Sequence, residues 1–409
     1  MKILRAYKTE LDLNDKQRTA CLKHAGTARW AYNWGLARKI EAYRAGEKVP
    51  TAIDLHRELN ELKHGAVGWM YEVSKCAPQE ALRDLDRAYA NFFRRAKQKK
   101  NGTLKGKTGF PKFKSRKKGA GRFRLTGRIV VLDDAIQLPR LGKLRLKERG
   151  YLPVSGVHIL SATVSQRAGG WFVSLQVETE IPAPVPSLGK PAAGVDLGVK
   201  TLATVSDGTE FPNPKALKSG LERIKRFQRS VRRRKKGGKN RAKAAAKLAK
   251  AQARVANIRI NTLHQVTTWL TKTKSAICIE DLNVAGMLKN HRLAAAIADV
   301  GFGEFRRQLE YKGRWYGCEI QVADRFFPSS KKHFECGFIN YNLTLADREW
   351  LCPYCGQLVE RDLNASKNLR SLIAPTASSA ESHAWGESVS PVQQAGLVEP
   401  GTKQQLYLV

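Results

Sequence analysis

The 409-residue sequence has no run of 18 or more apolar residues, so it encodes no membrane-spanning helix. Its first residues, Met1-Lys2-Ile3-Leu4-Arg5, lack the apolar stretch of a secretory signal. Cysteine is scarce. Seven are present, an odd number, and Cys21, Cys76, Cys278 and Cys318 stand apart from one another. That pattern excludes a disulfide framework and predicts a reducing, cytoplasmic setting. Acidic residues are also few: 36 Asp and Glu against 73 Lys and Arg leave a formal charge of +37. A hydrophobic fraction of 42% supplies apolar surface for folded cores, which excludes a wholly disordered basic tail. A folded chain this basic repels itself unless a polyanion neutralises it. Nucleic acid is therefore the expected partner, ahead of a membrane surface.

Residues 1–10 read as a strand. Asn14 begins a helix, with Gln17 three residues on as its capping-box partner. Helical spacing persists to about residue 100. Trp30, Trp34 and Ile40 lie on apolar faces, Pro78 marks a helix start, and Leu82, Leu85, Ala88, Tyr89 and Phe92 follow at helical intervals. A basic, Gly-rich stretch from Lys97 to Arg124 leads into two-residue alternation. Leu160, Ala162 and Val164, then Trp171, Val173, Leu175 and Val177, flank Gly169-Gly170 and predict a hairpin within a small sheet or barrel over 125–180. Pro182, Pro184, Pro186 and Pro191 mark a stiff linker. Beyond it, strands at 192–195, 202–205, 276–279 and 319–323 alternate with helical stretches at 216–262 and 293–315, which predicts an α/β domain. From Ser371 the composition turns to Ser, Ala, Gly and Pro and predicts a disordered tail.

Three acids follow or precede core elements. Asp196 ends the apolar strand of Gly194-Val195-Asp196-Leu197-Gly198, Glu280 ends Ile277-Cys278-Ile279-Glu280, and Asp362 precedes a helix containing Leu369, Leu372 and Ile373. Singly, each has an ordinary reading as a turn or helix-cap residue. Together, in a chain of charge +37, they suit divalent metal. Carboxylate oxygens are good ligands for Mg²⁺, and two such ions about 4 Å apart stabilise the attacking and leaving oxygens of phosphodiester hydrolysis.

The motifs Gly194-Val195-Asp196-Leu197-Gly198, Ile279-Glu280-Asp281-Leu282-Asn283 and Arg361-Asp362-Leu363-Asn364-Ala365 resemble the three RuvC motifs of the TnpB family. Arg29-Trp30-Ala31-Tyr32-Asn33, Gly109-Phe110-Pro111-Lys112-Phe113-Lys114 and Phe327-Pro328-Ser329-Ser330-Lys331 match in the same order, so the resemblance covers about residues 1–373. TnpB proteins are transposon-encoded, RNA-guided DNA nucleases related to type V CRISPR effectors. The resemblance implies an RNase H-like RuvC nuclease domain with a zinc-ribbon insertion, preceded by a β-barrel-like wedge domain into which a helical recognition lobe is inserted. On this chain the parts fall at 1–10 and 116–181 (wedge), 11–115 (helical lobe), 182–191 (linker), 192–325 and 360–373 (nuclease, with a basic helical segment at 216–262), 326–359 (zinc ribbon) and 374–409 (tail). By match to the motifs, Asp196, Glu280 and Asp362 would be catalytic ligands of a two-Mg²⁺ site and Asn364 a supporting residue. Glu360 stands where the family usually has Asp, outside the intact core at Asp362.

His333-x-x-Cys336 and Cys352-Pro353-Tyr354-Cys355 resemble a zinc ribbon with one His in place of the family's usual Cys. A one-His, three-Cys set suits a closed, structural Zn²⁺ site that would help place Asp362. The competing reading is a knuckle that folds without metal.

Residues 221–260 hold 16 Lys or Arg and one acid, densest at Arg232-Arg233-Arg234-Lys235-Lys236. Like charges at helical spacing repel, so this segment is expected along phosphates, facing the guide–target heteroduplex. Lys75 and Gln79 are candidates for DNA contact and Arg122, Arg124 and Arg128 for RNA, whereas Trp30 and Tyr32 read as core. The resemblance implies a non-coding guide RNA from the transposon end, a double-stranded DNA target, no membrane partner, a monomer with its RNA, and a bacterial or archaeal, nucleoid-associated setting. The alternatives are an RNA-guided DNA binder that does not cut and a transposase acting directly on DNA ends. RNA recovered with the purified protein should be one defined non-coding species; random RNA would undermine the guide reading.

Overall fold

The computed structural model describes residues 1–104, 106–116, 121–182, 189–344 and 346–373. Most of the proline-rich linker and the expected tail at 374–409 lie outside these residues. Strand β1 (Lys2–Asp12) leads into the 30-residue helix α1 (Asp15–Arg44). The Asn14 side chain accepts from the Gln17 amide at 2.9 Å, and the Gln17 side chain accepts from the Asn14 amide at 3.1 Å, which closes the capping box. Helix α2 (Ala52–Lys63), a 3₁₀ turn (Gly68–Glu72) and α3 (Cys76–Lys100) follow. Leu36, Leu55, Leu59, Leu82 and Leu85 of the three α-helices are fully buried.

Strands β2 (Arg122–Leu125), β3 (Val130–Val131), β4 (Ala135–Leu138), β5 (Gly142–Leu146), β6 (His158–Arg167) and β7 (Gly170–Glu180) join β1 in a seven-stranded sheet of order β2-β6-β7-β1-β5-β4-β3. The order ends at β2 and β3, so hydrogen bonding among the described residues forms an open sheet rather than a closed barrel. On β7, Trp171, Val173, Leu175 and Val177 face inward as the alternation predicts. On β6 a register shift between Ile159 and Ser161 turns Leu160 outward and Ser161 inward, because a bulge adds one residue and reverses the faces beyond it. Helices and sheet share one continuous apolar core, from Leu11 through Leu82 and Phe123 to Val177.

The remaining strands form a second sheet. Here β9 (Thr201–Val205) runs antiparallel to both of its neighbours, β8 (Ala193–Asp196) and β10 (Glu210–Pro212). The expected single basic helix is two, α4 (Ala216–Arg232) and α5 (Lys239–Thr273), turned back on each other where Gly237 adopts φ +87°. Then come β11 (Ala276–Ile279), α6 (Val284–Met287), α7 (Ala294–Val300), α8 (Phe302–Tyr316) and β12 (Glu319–Val322). The helical pattern of 293–315 is likewise broken, at Gly301 with φ +79°. The sheet order is β10-β9-β8-β11-β12, with β8, β11 and β12 parallel. Val195, Ile277 and Ile279 share a core with Leu263, Leu270, Phe305 and Leu309 of α5 and α8. After a small hairpin, β13 (Glu349–Leu351) and β14 (Leu358–Glu360), helix α9 (Arg361–Ser371) covers the other face, where Leu369 meets Cys278 and Ala323. No helix among the described residues is long and apolar enough to cross a membrane.

Helix α9 approaches β8 backbone to backbone at Gly194. A Cβ there would stand 1.9 Å from the Ser366 carbonyl oxygen and 2.4 Å from the Arg370 nitrogen. Gly194→Ala should therefore push α9 off the sheet and destabilise the fold by about 3 kcal/mol, at the upper end for overpacking, read as a lower midpoint in thermal or urea unfolding.

Candidate functional site

Asp196 is the last residue of β8, and Glu280 is the first residue beyond β11. These parallel strands are neighbours, with Val195 opposite Ile279, so the two acids leave the sheet side by side. Carboxyl ends of parallel strands are where α/β sheets gather ligands. Asp362 sits in the first turn of α9, which crosses β8. Its position after Glu360, the helix-capping residue, sets aside the cap reading for Asp362 itself.

The electrostatics record the convergence. Asp196 keeps a partly accessible surface, and its carboxyl is held well above the usual carboxylate range. Burial is the largest cause, followed by the negative charges of Glu280 and then Asp362, with Arg361 opposing them. Arg348 Nη1 donates to both Asp362 oxygens, at 3.2 and 3.0 Å, and Arg361 Nε donates to one at 3.2 Å. The Ser329 hydroxyl donates to Glu280. Asp281, one residue on, turns away to Arg306 and Arg325, whose guanidinium groups hold its carboxyl low. Three partly accessible carboxylates offer only hard oxygen donors, and their mutual repulsion is what a divalent cation of the Mg²⁺ type relieves.

Asn364 is buried and holds a loop. Its Oδ1 accepts from the Phe334 amide at 2.8 Å, and its Nδ2 donates to the Lys332 carbonyl at 2.7 Å. Asn368, one turn on, donates to the carbonyls of Ser329 and Lys332 at 2.8 and 2.6 Å. Sequence reasoning passed over Asn368 and Arg348. The i, i+4 repeat of Asn on α9 is a signal for the first; the second depends on a contact across the hairpin.

The same loop enters a compact cluster of His333, Cys336, Cys352 and Cys355, whose ligand atoms all lie within 4.8 Å of one another. His333 Nδ1 is 3.0 Å from Cys336 Sγ and 3.4 Å from Cys355 Sγ, and the sulfurs of Cys336 and Cys352 are 3.6 Å apart without a disulfide. Sulfurs bound at about 2.3 Å to one tetrahedral ion stand roughly 3.7 Å apart, so the spacing fits zinc. Trp350, Cys352 and Val359 form a small core beneath the cluster.

The nucleic-acid candidates divide. Arg232, Arg233, Arg234, Lys235 and Lys236 are all exposed at the α4–α5 turn. Arg241 braces that turn by donating to the Val231 carbonyl at 2.7 Å. Lys75 is exposed at the start of α3, with Gln79 one turn on and half-buried. Lys75, Arg128 and Arg140 line a cleft of about 920 Å³ between α3 and the sheet. Arg122 is exposed, whereas Arg124 is directed at Glu80 and Asp84 of α3, each 3.7 Å away. Tyr32 is buried, with the Lys114 ammonium 3.5 Å from its ring centre.

Residues 173–291 match the OrfB_IS605 family model, described as "Probable transposase". Residues 302–369 match a "Cas12f1-like, TNB domain", which spans the His/Cys cluster and Asp362. Residues 1–48 match a model described as a "Helix-turn-helix domain", although in this chain they form one strand and one helix without an internal break. A protein of Streptomyces pristinaespiralis named as an RNA-guided DNA endonuclease is 36% identical over 399 residues, covering 96% of this chain and 94% of the relative. The protein of Escherichia coli (strain K12) named as the RNA-guided DNA endonuclease InsQ is 32% identical, covering 90% and 92%. In fold, the chain is similar to the protein in a Cas12f1-sgRNA-target DNA complex, with a TM-score of 0.53 at 13% identity, covering 90% of this chain and 99% of that one.

A raised Asp196 means that the folded chain holds this proton more tightly than the unfolded chain. Stability therefore falls as pH rises from the ordinary Asp value toward the folded one. Asp196→Asn should remove that loss: in chelator at pH 7 its melting temperature should exceed the wild type's by about 2 °C for each kcal/mol regained.

Proposed function

Because this chain belongs to the TnpB family, we propose that it is an RNA-guided DNA endonuclease cutting at Asp196, Glu280 and Asp362. The observation that carries this reading is the convergence of three acids from distant segments, two at adjacent strand ends and one in the first turn of α9, in a chain with charge +37. The sheet order β10-β9-β8-β11-β12, antiparallel in its first three strands and parallel beyond, supports an RNase H-like RuvC domain made of 192–325 and 360–373. The seven-stranded sheet would serve as the wedge and α1 to α3 as the recognition lobe.

Asp196, Glu280 and Asp362 would hold divalent cations, Mg²⁺ by the hardness of the donors, which supply a nucleophilic water and charge neutralisation at the leaving 3′ oxygen. Ser329 orients the Glu280 carboxylate through its hydroxyl. Arg348 lies beside Asp362 and can turn to a phosphate oxygen of the bound strand. Asn364 and Asn368 fix the loop that carries Ser329 and His333 against α9, so they position the site without touching substrate. His333, Cys336, Cys352 and Cys355 would hold one structural Zn²⁺.

Guide RNA pairing would supply sequence specificity, while the protein reads backbone shape and a short target-adjacent motif. Lys75 and Gln79 would read that motif, and Arg232 to Lys236, all exposed, would meet phosphates of the heteroduplex. The description carried by the family model over 173–291 favours one second reading, a transposase that joins strands itself. Strand-transfer products formed without RNA would mark it.

Asp196→Ala, supplied with guide RNA and Mg²⁺, should lose about a thousandfold or more in DNA cleavage while keeping its RNA affinity; undiminished cleavage would remove the catalytic assignment. Metal analysis should give about one zinc per chain, retained in His333→Cys and reduced in His333→Ala. No zinc, together with an unchanged melting temperature in chelator, would sink the structural-metal role.

A further inference from the structure

We propose that the cleft between α1 and the 3₁₀ turn Gly68–Glu72 binds one unpaired nucleobase of the RNA that this chain carries. The inference rests on the RNA-guided reading and adds a site to it. One wall is a single face of α1, where Lys23, Gly26, Trp30 and Asn33 follow at helical spacing; the other is Trp69, Glu72 and Val73. The cleft encloses about 450 Å³, ample for a purine ring.

Trp30 is held in place. Its ring is parallel to Trp34 at 6.0 Å, and Trp69 stands edge-on to it at 6.1 Å and 89°. Trp69 is 45% exposed, although its large apolar ring would be stabilised by cover. Across the opening, Lys23 pairs with Glu72.

Gly26 is an independent observation. It lies inside α1, where glycine costs about 1 kcal/mol relative to alanine. A Cβ at this position would meet a single atom within 4 Å, Nη2 of Arg29, at 3.9 Å. No packing contact requires the glycine, and its bare backbone leaves the cleft floor open. The polar groups of the lining are largely engaged within the protein. Asn33 exchanges hydrogen bonds with the Lys114 backbone in both directions, and Thr27 donates to the Lys23 carbonyl. What remains is ring surface, with the Lys23–Glu72 pair at its rim, and such a surface stacks any base and reads little of its edge.

The occupant follows from cost. Val73 lines both this cleft and the basic one at Lys75, so the site adjoins a surface suited to phosphates. An unpaired RNA base enters without breaking a pair, whereas a duplex DNA base must first be flipped out at a few kcal/mol.

The test uses the full chain and its copurifying RNA, resynthesised with 5-iodouridine. Photocrosslinks mapped by mass spectrometry should fall on Trp69 or Trp30. Trp69→Ala and Gly26→Leu should each weaken RNA binding about tenfold at unchanged salt slope, with Trp69→Phe restoring most of it. Gly26→Leu fills the floor from an open helical position, and a melting temperature at or above the wild type's separates blocking from unfolding. Wild-type RNA affinity in both variants, or crosslinks at these tryptophans to target DNA alone, would overturn the inference. A wild-type chain that binds no RNA would overturn the guide reading with it.

Discussion

The contact of α9 with β8 at Gly194 is the constraint on which the rest of the nuclease half depends. Because no side chain separates the two backbones, Asp362 is delivered within electrostatic reach of Asp196. From the same helix, Asn364 and Asn368 take the carbonyls and amide of the loop at 329–334. That loop carries Ser329 to Glu280 at one end and His333 to the cysteine cluster at the other. One close approach thus couples three carboxylates to the cluster of one imidazole and three thiols, and a shift of α9 would disturb both sets together.

The carboxylates are gathered against their own repulsion. Asp196 bears the consequence in its raised affinity for a proton, while Asp362 is partly neutralised by Arg348 and Arg361. Sites held in unfavourable charge states are drawn toward chemistry because a ligand can relieve them. Here the surrounding chain is strongly basic, so an anionic substrate and a cationic ligand are attracted to adjoining surfaces of one protein.

The strands, the capping box at Asn14 and the acids at strand ends were legible in the sequence, because each depends on neighbours a few residues away. The breaks at 233–238 and Gly301 were not. A glycine inside a helical pattern is tolerated or breaks the helix according to what packs on either side. Alternation could not reveal the bulge beside Leu160, since the added residue reverses the pattern without changing composition. Arg124 read as an RNA contact, yet Glu80 and Asp84 of α3 reach it, partners no local pattern exposes. Trp30 read as core and does pack against it, partly buried, but its placement between Trp34 and an exposed Trp69 depends on a turn far along the chain.

The placement of β1 also sets an order of events. It occupies the middle of its sheet, with Lys2 opposite Glu180 and Leu11 opposite Leu146. On the ribosome this strand emerges before either neighbour exists. Helices α1 to α3 are made meanwhile, inside a loop whose closure is entropically costly, and half of their shared core is still missing. Local helix formation can run ahead, capped at Asn14 and Thr51, but consolidation waits for β7. For that interval the helices stand as a long, basic segment whose apolar faces still lack half of their cover.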